Sequence, residues 1–311
     1  MKIISSLEQL HRYESKQGCV IALGTFDGLH RGHQQVLEEA AALSKSLHAA
    51  LGVLTFSNHP MALINPAKTP PALLTIEDRH VLFESMGVEL LLELPFDRAL
   101  ADITPQEFVE QLLNIGCRGI AVGANFTYGK YGAGNVQTLT AAAEQQGFKL
   151  RICPLLELEN NVLSSTLIRA LVKQGQVEKA CRLLGRPYSL QGIVAHGNER
   201  GRLLGFSTAN LELSQLEEQL VIPAEGAYAV RAVLEDGSVH KAMANIGKNP
   251  TYGDVEQLRL EVHLLDYSGN LYDKKIKVQF VKRLRDQVKF FGLEQLQSQL
   301  EQDKARCREI L

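Results

Sequence analysis

The sequence predicts an α/β protein in which a doubly wound parallel sheet is followed by a smaller antiparallel β-barrel and a terminal helix. The first half alternates apolar runs with stretches of helical periodicity, as parallel α/β sheets do. Beyond residue 187 polar and apolar residues alternate with a period of two, and turn residues separate the runs. At 311 residues the chain exceeds the usual size of one hydrophobic core. We therefore expect two domains, residues 1–186 and 187–311.

The elements of the first half follow from periodicity and from local start signals. Apolar runs bounded by glycine or turn residues indicate buried strands, and apolar residues three or four apart indicate helices. Thr104 followed by Pro105 is typical of a helix start, with proline at the first helical position. We expect the proline-rich residues 58–71 to form a loop. The predicted strands are 20–23, 49–56, 88–94, 119–122 and 148–153, and the predicted helices are 34–47, 77–86, 105–115 and 136–146.

The second half has the pattern of a small antiparallel barrel, because short strands of alternating polarity are separated by turns that contain glycine. Leu296 and Leu300 lie on one face of the last helix, which we expect to pack on the barrel. The predicted strands are 188–195, 227–234, 240–246, 258–265 and 276–280, and the predicted helices are 165–173, 177–184 and 293–310.

The composition excludes several classes of protein. Apolar residues make up 45% and charged residues 22% of the chain, as in ordinary globular proteins. A formal net charge of −2 gives no general attraction to nucleic acid or to acidic membranes, so we expect neither as a partner. No apolar run reaches about 18 residues, so no membrane span is expected. The five cysteines are scattered without a CxxC pair, which favours reduced thiols and a cytoplasmic location.

Residues 24–33 are the strongest indication of function. They follow an apolar run and precede a helical pattern, so their N–H groups lie at the positive end of a helix. His30 and His33 lie on the same side of the first turn, and glycines let the backbone approach a phosphate closely. We expect a polyphosphate site; the alternatives are capping or surface histidines, or a metal site without a third ligand. The candidate nucleotide-binding residues are Gly24, Phe26, Asp27 and Gly28, of which the aspartate could instead hold a loop amide or touch a metal.

Two further groups of residues have the chemistry of a ligand site. Residues 164–169 place hydroxyl groups at a helix start and Arg169 one turn later. Hydroxyls and an arginine suit phosphate oxygens, and the alternative is an ordinary helix cap. A second group follows strands directly, so it lies at the carboxyl edge of the sheet, where ligands of such folds bind. Its members are Asn58, His59, Asn125 and Phe126.

The motifs of the first half resemble those of a known family. Residues 24–33 resemble the GxFDGxHxGH signature of nucleotidyltransferases, and residues 55–60, 122–129 and 164–169 resemble further motifs of bacterial FAD synthetases. In that family the first half is an FMN adenylyltransferase with a Rossmann-like nucleotidyltransferase fold. Asn58 stands where the family usually has proline, and Thr127 stands where arginine is frequent.

The resemblance implies roles for the candidate residues. His30 and His33 would steady the α-phosphate of ATP while the phosphate of FMN attacks in line, without a covalent enzyme intermediate. The departing pyrophosphate would be held by Ser165, Thr166 and Arg169. The isoalloxazine ring would be held by the loop that begins at Asn58 and includes His59, with Asn125 near the phosphates or the flavin and Phe126 near the flavin.

The second half is similar to the riboflavin kinase module of the same family. Residues 207–210 stand at its PTAN segment, with Ser207 in place of the usual proline. The resemblance implies that Thr208 and Asn210 bind Mg²⁺ through oxygen atoms, which are hard ligands. Residues 192–211 have no Walker A ending and could form only a mobile hairpin. By the resemblance, residues 197–205 would cover the ATP phosphates. Their candidate contacts are Gly197, Arg202 and Gly205.

One strand of the second half carries a candidate base. Glu261 alternates with Leu260 and Val262, so it faces the opposite side of its strand. The resemblance implies that it is the general base for the 5′-hydroxyl of the ribityl chain, and the alternative is a solvated strand carboxylate. His263 is expected to be a strand residue without a role. Arg285 is a candidate flavin contact.

These motifs together predict a bifunctional enzyme of FAD synthesis. It would phosphorylate riboflavin to FMN with ATP, and then adenylylate FMN with ATP to give FAD and pyrophosphate. The two sites are separate because each half carries its own phosphate motif, and the expected partners are the small molecules riboflavin, FMN and ATP, with Mg²⁺. The alternatives are a chain that retains only one activity, and a non-catalytic regulator that binds flavin or nucleotide.

Overall fold

The computed structural model describes residues 1–158, 161–195, 206–213, 220–249 and 257–311. The chain divides into two compact units, 1–164 and 165–311. The second unit begins at residue 165, whereas the expected second domain begins at residue 187. The two helices between these positions, Ser165–Lys173 and Val177–Leu184, belong to the second unit.

In the first unit six of the described strands form one parallel sheet with the order β1-β4-β3-β2-β5-β6. The doubly wound sheet is thereby confirmed. Its strands are β1 (Lys2–Ile4), β2 (Cys19–Leu23), β3 (Ala50–Phe56), β4 (Leu90–Leu94), β5 (Cys117–Gly123) and β6 (Lys149–Cys153), and a short hairpin follows with β7 (Glu157–Leu158) and β8 (Asn161–Val162). Its helices are α1 (Leu7–His11), α2 (Arg31–Leu47), α3 (Met61–Ile64), α4 (Ile76–Ser85), α5 (Arg98–Ala101), α6 (Pro105–Asn114) and α7 (Val136–Gln146).

Both faces of this sheet are buried. Along β2, Val20 and Ala22 belong to one hydrophobic cluster, whereas Ile21 and Leu23 belong to another on the opposite face. Helix α2 packs into the first cluster and α6 into the second. This explains why the inner strands β2, β3 and β4 have nearly continuous apolar runs rather than alternation.

The structure corrects several local predictions. Helix α2 begins at Arg31 rather than at residue 34, because the side chain of His30 caps it. The expected loop 58–71 contains α3 and a 3-10 turn over Pro66–Lys68. The elements β1, α1 and α5 were not predicted. The start of α6 is confirmed, with Pro105 in its first turn and a capping box between Thr104 and Glu107.

In the second unit the described strands form a closed antiparallel barrel with the order β10-β13-β12-β11-β14-β9. The predicted barrel and terminal helix are confirmed, and Cys307 and Leu300 of that helix pack against Ala227 and Met243. Strand β10 was not predicted. The strands are β9 (Tyr188–Ala195), β10 (Ala209–Glu212), β11 (Gly226–Val233), β12 (Val239–Asn249), β13 (Gln257–Leu264) and β14 (Lys275–Arg285), and the helices are α8 (Ser165–Lys173), α9 (Val177–Leu184) and α10 (Leu293–Ile310).

Candidate active sites

The sheet order brings three of the candidate loops to one place. Strands β3, β2 and β5 are neighbours, and all run in the same direction. The loops that follow them therefore share the carboxyl edge of the sheet. Residues 24–30 follow β2, Asn58 and His59 follow β3, and Asn125 and Phe126 follow β5.

The turn after β2 has an unusual backbone. Phe26, Gly28 and Leu29 have φ values of 48°, 75° and 40°, which lie in the left-handed region. For residues other than glycine this conformation costs about 1–2 kcal/mol each. Phe26 and Leu29 are both 1% exposed, so packing holds the strained turn in place. A Cβ atom at Gly28 would lie 2.9 Å from Cδ1 of Leu73, so this position also excludes a side chain.

The two histidines of this turn form a stacked pair. Their ring centroids are 3.6 Å apart, with an angle of 15° between the planes. His30 is buried, and its Nδ1 accepts a hydrogen bond from the backbone N–H of His33 at 3.3 Å. Because Nδ1 is the acceptor, the neutral ring of His30 carries its proton on Nε2. The capping alternative is therefore a true description of His30.

His33 is held differently. Its ring meets the edge of Phe26 at a centroid distance of 5.3 Å. Its Nδ1 is buried and has no hydrogen-bond partner within the described part of the chain. Burial, and then the neighbouring His30, hold the pKa of His33 well below its usual value, so the ring is neutral at pH 7. A negatively charged phosphate beside it would favour the protonated form.

The candidates Gly24 and Asp27 shape the same turn. A Cβ atom at Gly24 would meet the ring of Phe26 at 3.3 Å. Oδ1 of Asp27 accepts a hydrogen bond from the backbone N–H of Leu73 at 2.9 Å, so the aspartate does hold a loop amide. Oγ1 of Thr55 donates to the carbonyl of Thr25 at 3.0 Å. The nucleotide contacts of these residues stay predictions.

The candidate flavin residues use their side chains to order their own loops. Nδ2 of Asn58 donates to the carbonyl of Phe96 at 3.2 Å, and its Oδ1 accepts from the N–H of Phe96 at 2.7 Å. Nδ1 of His59 accepts from the N–H of Met61 at 3.1 Å at the start of α3. After β5, Phe126 stacks on Tyr128 with a centroid distance of 5.8 Å, and Asn125 is exposed.

A charged cluster at the same edge was missed by sequence reasoning. Glu93 is 7% exposed near the end of β4, and it contacts Arg79 and His80 of α4. Arg79 also donates to the carbonyl of Phe56, the last residue of β3. The signal in the sequence was a lone carboxylate in the apolar run 90–94.

Three candidate phosphate residues lie at the start of α8, with Ser165 and Thr166 in its first turn and Arg169 one turn later. Ser165 and Thr166 precede Arg169 by four and three residues, so they share a side of the helix. Arg169 is buried, Ser165 is half-buried and Thr166 is exposed.

Strand register brings the candidate base of the barrel next to a candidate metal ligand. Glu261 of β13 lies opposite Asn210 of β10 on one side and opposite Asn245 of β12 on the other. Directly opposed residues have Cβ atoms about 4.5–5.5 Å apart. Leu260 and Val262 are fully buried, and the half-buried Glu261 faces the other way, as predicted. Asn245 was not a candidate, because only the register reveals its position.

The segment that leads into β10 is held by a histidine. Nδ1 of His263 donates to the carbonyl of Ser207 at 2.8 Å, and the ring lies 5.1 Å from that of Phe206. Burial lowers the pKa of His263, although the bond to Ser207 opposes this shift. His263 was expected to have no role, yet it fixes the backbone beside the half-buried Thr208.

Arg285 is bound to the terminal helix. Its Nε and Nη2 donate to Oδ2 of Asp303 at 2.9 Å and 2.8 Å, and Asp303 is 2% exposed. The guanidinium group also lies over the ring of Phe290, 5.7 Å from its centroid. The flavin contact of Arg285 stays a prediction. The candidates Gly197, Arg202 and Gly205 lie outside the described residues.

Two family models match this chain, one in each half. The family model described as FAD synthetase matches residues 12–167, and the model described as riboflavin kinase matches residues 184–311. A parallel sheet with a phosphate motif and a barrel with a kinase motif thus define a transferase with two nucleotide-dependent domains.

Curated relatives cover nearly the whole chain. A bifunctional riboflavin kinase/FMN adenylyltransferase of Bacillus subtilis is 36% identical over 98% of this chain and 96% of the relative. The enzyme of the same description from Haemophilus influenzae is 34% identical over 97% of each chain. The chain belongs to the family of bifunctional riboflavin kinase/FMN adenylyltransferases. The predicted enzyme class, with kinase and adenylyltransferase activities, is confirmed.

A solved structure also matches along its full length. It is described as a macrolide-efflux protein of Streptococcus pneumoniae, and it is 31% identical, with a TM-score of 0.90 over 99% of both chains. No helix in the described ranges is long and apolar enough to cross a membrane.

Proposed function

We propose that the His30–His33 pair carries the adenylyl transfer from ATP to FMN. The observation that supports this most is the stacked pair at the start of α2, in which the buried Nδ1 of His33 has no partner among the described residues. An unpaired buried polar atom costs about 1–3 kcal/mol, and a bound phosphate would offset this cost. Gly24, Phe26, Asp27 and Gly28 form the turn that receives the nucleotide.

The reaction needs charge stabilisation and alignment rather than a nucleophile from the protein. An oxygen of the FMN phosphate attacks the α-phosphorus of ATP, and the bond to the departing pyrophosphate breaks. His30, and His33 once protonated beside the phosphate, balance the charge that develops there. In the same proposal Ser165, Thr166 and Arg169 hold the pyrophosphate, while Asn58, His59, Asn125 and Phe126 hold the flavin. These roles belong to the expected domain 1–186.

In the domain 187–311 we assign the kinase reaction to Glu261. Its carboxylate takes the proton of the riboflavin 5′-hydroxyl as the oxygen attacks the γ-phosphorus of ATP, and ADP leaves. The donor set fits Mg²⁺, because Thr208 and Asn210 offer oxygen atoms and Asn210 is the cross-strand neighbour of Glu261. When bound, the ion would offset the negative charge of the phosphates. Gly197, Arg202 and Gly205 are the proposed ATP contacts, and Arg285 is the proposed flavin contact.

The test separates this proposal from its alternatives. The protein is incubated with riboflavin and MgATP, or with FMN and MgATP, and the flavins are separated by chromatography. His30→Ala should slow FAD formation and spare FMN formation, and Glu261→Gln should do the reverse with little change in ATP binding. Loss of both FMN formation from riboflavin and FAD formation from added FMN in either variant would refute independent sites. FMN alone from the unaltered chain would mean that only the kinase is active, and no product would favour a regulator. The cytoplasmic location and the lack of a nucleic-acid partner stay predictions.

A further inference from the structure

We propose that Glu93 is a positioning residue for FMN in adenylyl transfer, acting through Arg79 on the flavin loop, which we define as residues 57–60. The inference rests on the proposed role of that loop in holding the isoalloxazine ring. Neither Glu93 nor Arg79 belongs to the motifs that resemble the family.

The contacts form a chain from one strand end to the next. Nη2 of Arg79 lies 2.5 Å from Oε1 of Glu93 and donates to the carbonyl of Phe56 at 2.9 Å. The second carboxylate oxygen, Oε2, is 2.9 Å from Nε2 of His80. Phe56 is the last residue of β3, so the bond to its carbonyl fixes the point from which the flavin loop starts.

The burial of the cluster makes this arrangement rigid. The side chains of Glu93 and Arg79 are 9% and 11% exposed. A buried carboxylate is stable only with a cation beside it. Glu93 therefore holds the guanidinium group of Arg79 in place and prevents it from turning towards water. The carbonyl of Phe56 therefore keeps its donor only while Glu93 is charged and in place.

Two further contacts tie the same loop to the end of β4. The rings of Phe56 and Phe96 meet edge to face at a centroid distance of 5.1 Å, and Asn58 forms two hydrogen bonds with the backbone of Phe96. Other hydrogen bonds hold the turn that carries the histidine pair. Thr55 donates to the carbonyl of Thr25, and Asp27 accepts from the N–H of Leu73. Loss of the Glu93 contact should therefore disturb the flavin and leave ATP in place.

The experiment uses the full-length protein and steady-state adenylyl transfer with FMN and MgATP. Glu93→Gln and Arg79→Met should each raise the KM for FMN about tenfold, which corresponds to about 1.4 kcal/mol, with the KM for ATP and kcat nearly unchanged. His80→Asn is the matched control, because His80 also contacts Glu93 but has no hydrogen bond to Phe56. It should leave the KM for FMN unchanged.

A merely structural role would give a different result. In that case all three variants would lower the melting temperature, and the KM for FMN would stay constant or change together with kcat and the KM for ATP. The double variant Glu93→Leu with Arg79→Met removes both charges, and it serves as a second test if a single variant fails to fold. Riboflavin phosphorylation in the same samples reports whether the rest of the chain is intact.

Asn58→Ala distinguishes this inference from the proposed function. If it leaves the KM for FMN unchanged, the flavin role of the loop is wrong, and the inference fails with it. If Asn58→Ala raises the KM for FMN but Glu93→Gln and Arg79→Met do not, the flavin role stands and the positioning role of Glu93 is refuted.

Discussion

A single methyl group at Gly32 should slow adenylyl transfer without weakening the fold. A Cβ atom at this position would lie 3.2 Å from Cε1 and 3.3 Å from Nδ1 of His30. Gly32 is in the first turn of α2 and does not have a positive φ, so the backbone accepts alanine. Alanine is favoured over glycine in helices by up to about 1 kcal/mol. The substitution therefore acts on stability and on activity in opposite directions.

The size of the effect follows from the contact distance. Carbon atoms normally pack about 3.5–4.0 Å apart, so the ring of His30 must move by about 0.3–0.8 Å. His33 stacks on that ring at a centroid distance of 3.6 Å, which limits where the ring of His30 can move. A misplacement of 1 Å can cost about a hundredfold in rate, so we expect kcat to fall roughly tenfold for Gly32→Ala.

The assay compares FAD formation from FMN with FMN formation from riboflavin, together with the melting temperature. Gly52→Ala is the matched control, because a Cβ atom there would meet Ile21 at an ordinary contact distance of 3.4 Å. Unchanged FAD formation in Gly32→Ala would refute the claim that the position of His30 limits the reaction. An equal loss of riboflavin phosphorylation would show general damage instead.

The remaining predictions concern two other histidines. Because burial lowers the pKa of folded His33, the unfolded chain binds more protons as the pH falls below about 6.5, so this residue reduces the free energy of unfolding in acid. His33→Asn should therefore lose less stability than the unaltered chain between about pH 7.5 and about pH 5.5 in denaturant titrations, and an identical pH dependence would contradict this. His263→Phe removes the bond to Ser207, and one hydrogen bond of about 0.5–1.5 kcal/mol corresponds to a roughly twofold to twelvefold higher Mg²⁺ requirement at the proposed site of Thr208 and Asn210. FAD formation from FMN is the control, and a parallel change in it would argue against a local effect.

Local patterns were sufficient for the architecture. The inner strands of the parallel sheet are apolar runs bounded by turn residues, and Thr104 with Pro105 marked the start of α6. The start of α2 was missed because His30 is an uncommon cap, and its capping contact through Nδ1 depends on the conformation of the turn before it. Strand β10 was missed because it has only four residues and its pairing partners are distant in sequence.

The candidate sites were only partly predictable for a related reason. Sequence motifs made His30, His33 and Glu261 candidates, because each belongs to a short pattern. Asn245 could not be found, since its position opposite Glu261 depends on the register of two strands. No short sequence pattern encodes the register of two strands.

The polar residues of these sites fall into two groups, according to where their hydrogen bonds go. Asp27, Asn58 and His263 bond to backbone groups of other segments, so their contribution is complete before a ligand arrives. His33 instead keeps a buried nitrogen without a partner in the described residues, and its low pKa shows that the free protein does not stabilise the charge on this ring. The unpartnered nitrogen of His33 destabilises the protein without a ligand and becomes favourable beside a phosphate. His33 therefore contributes binding energy only when the nucleotide is present. Substitution of Asp27, Asn58 or His263 should therefore change the affinity for a substrate, because it shifts the position of a loop. Substitution of His33 should instead lower the rate of the reaction itself.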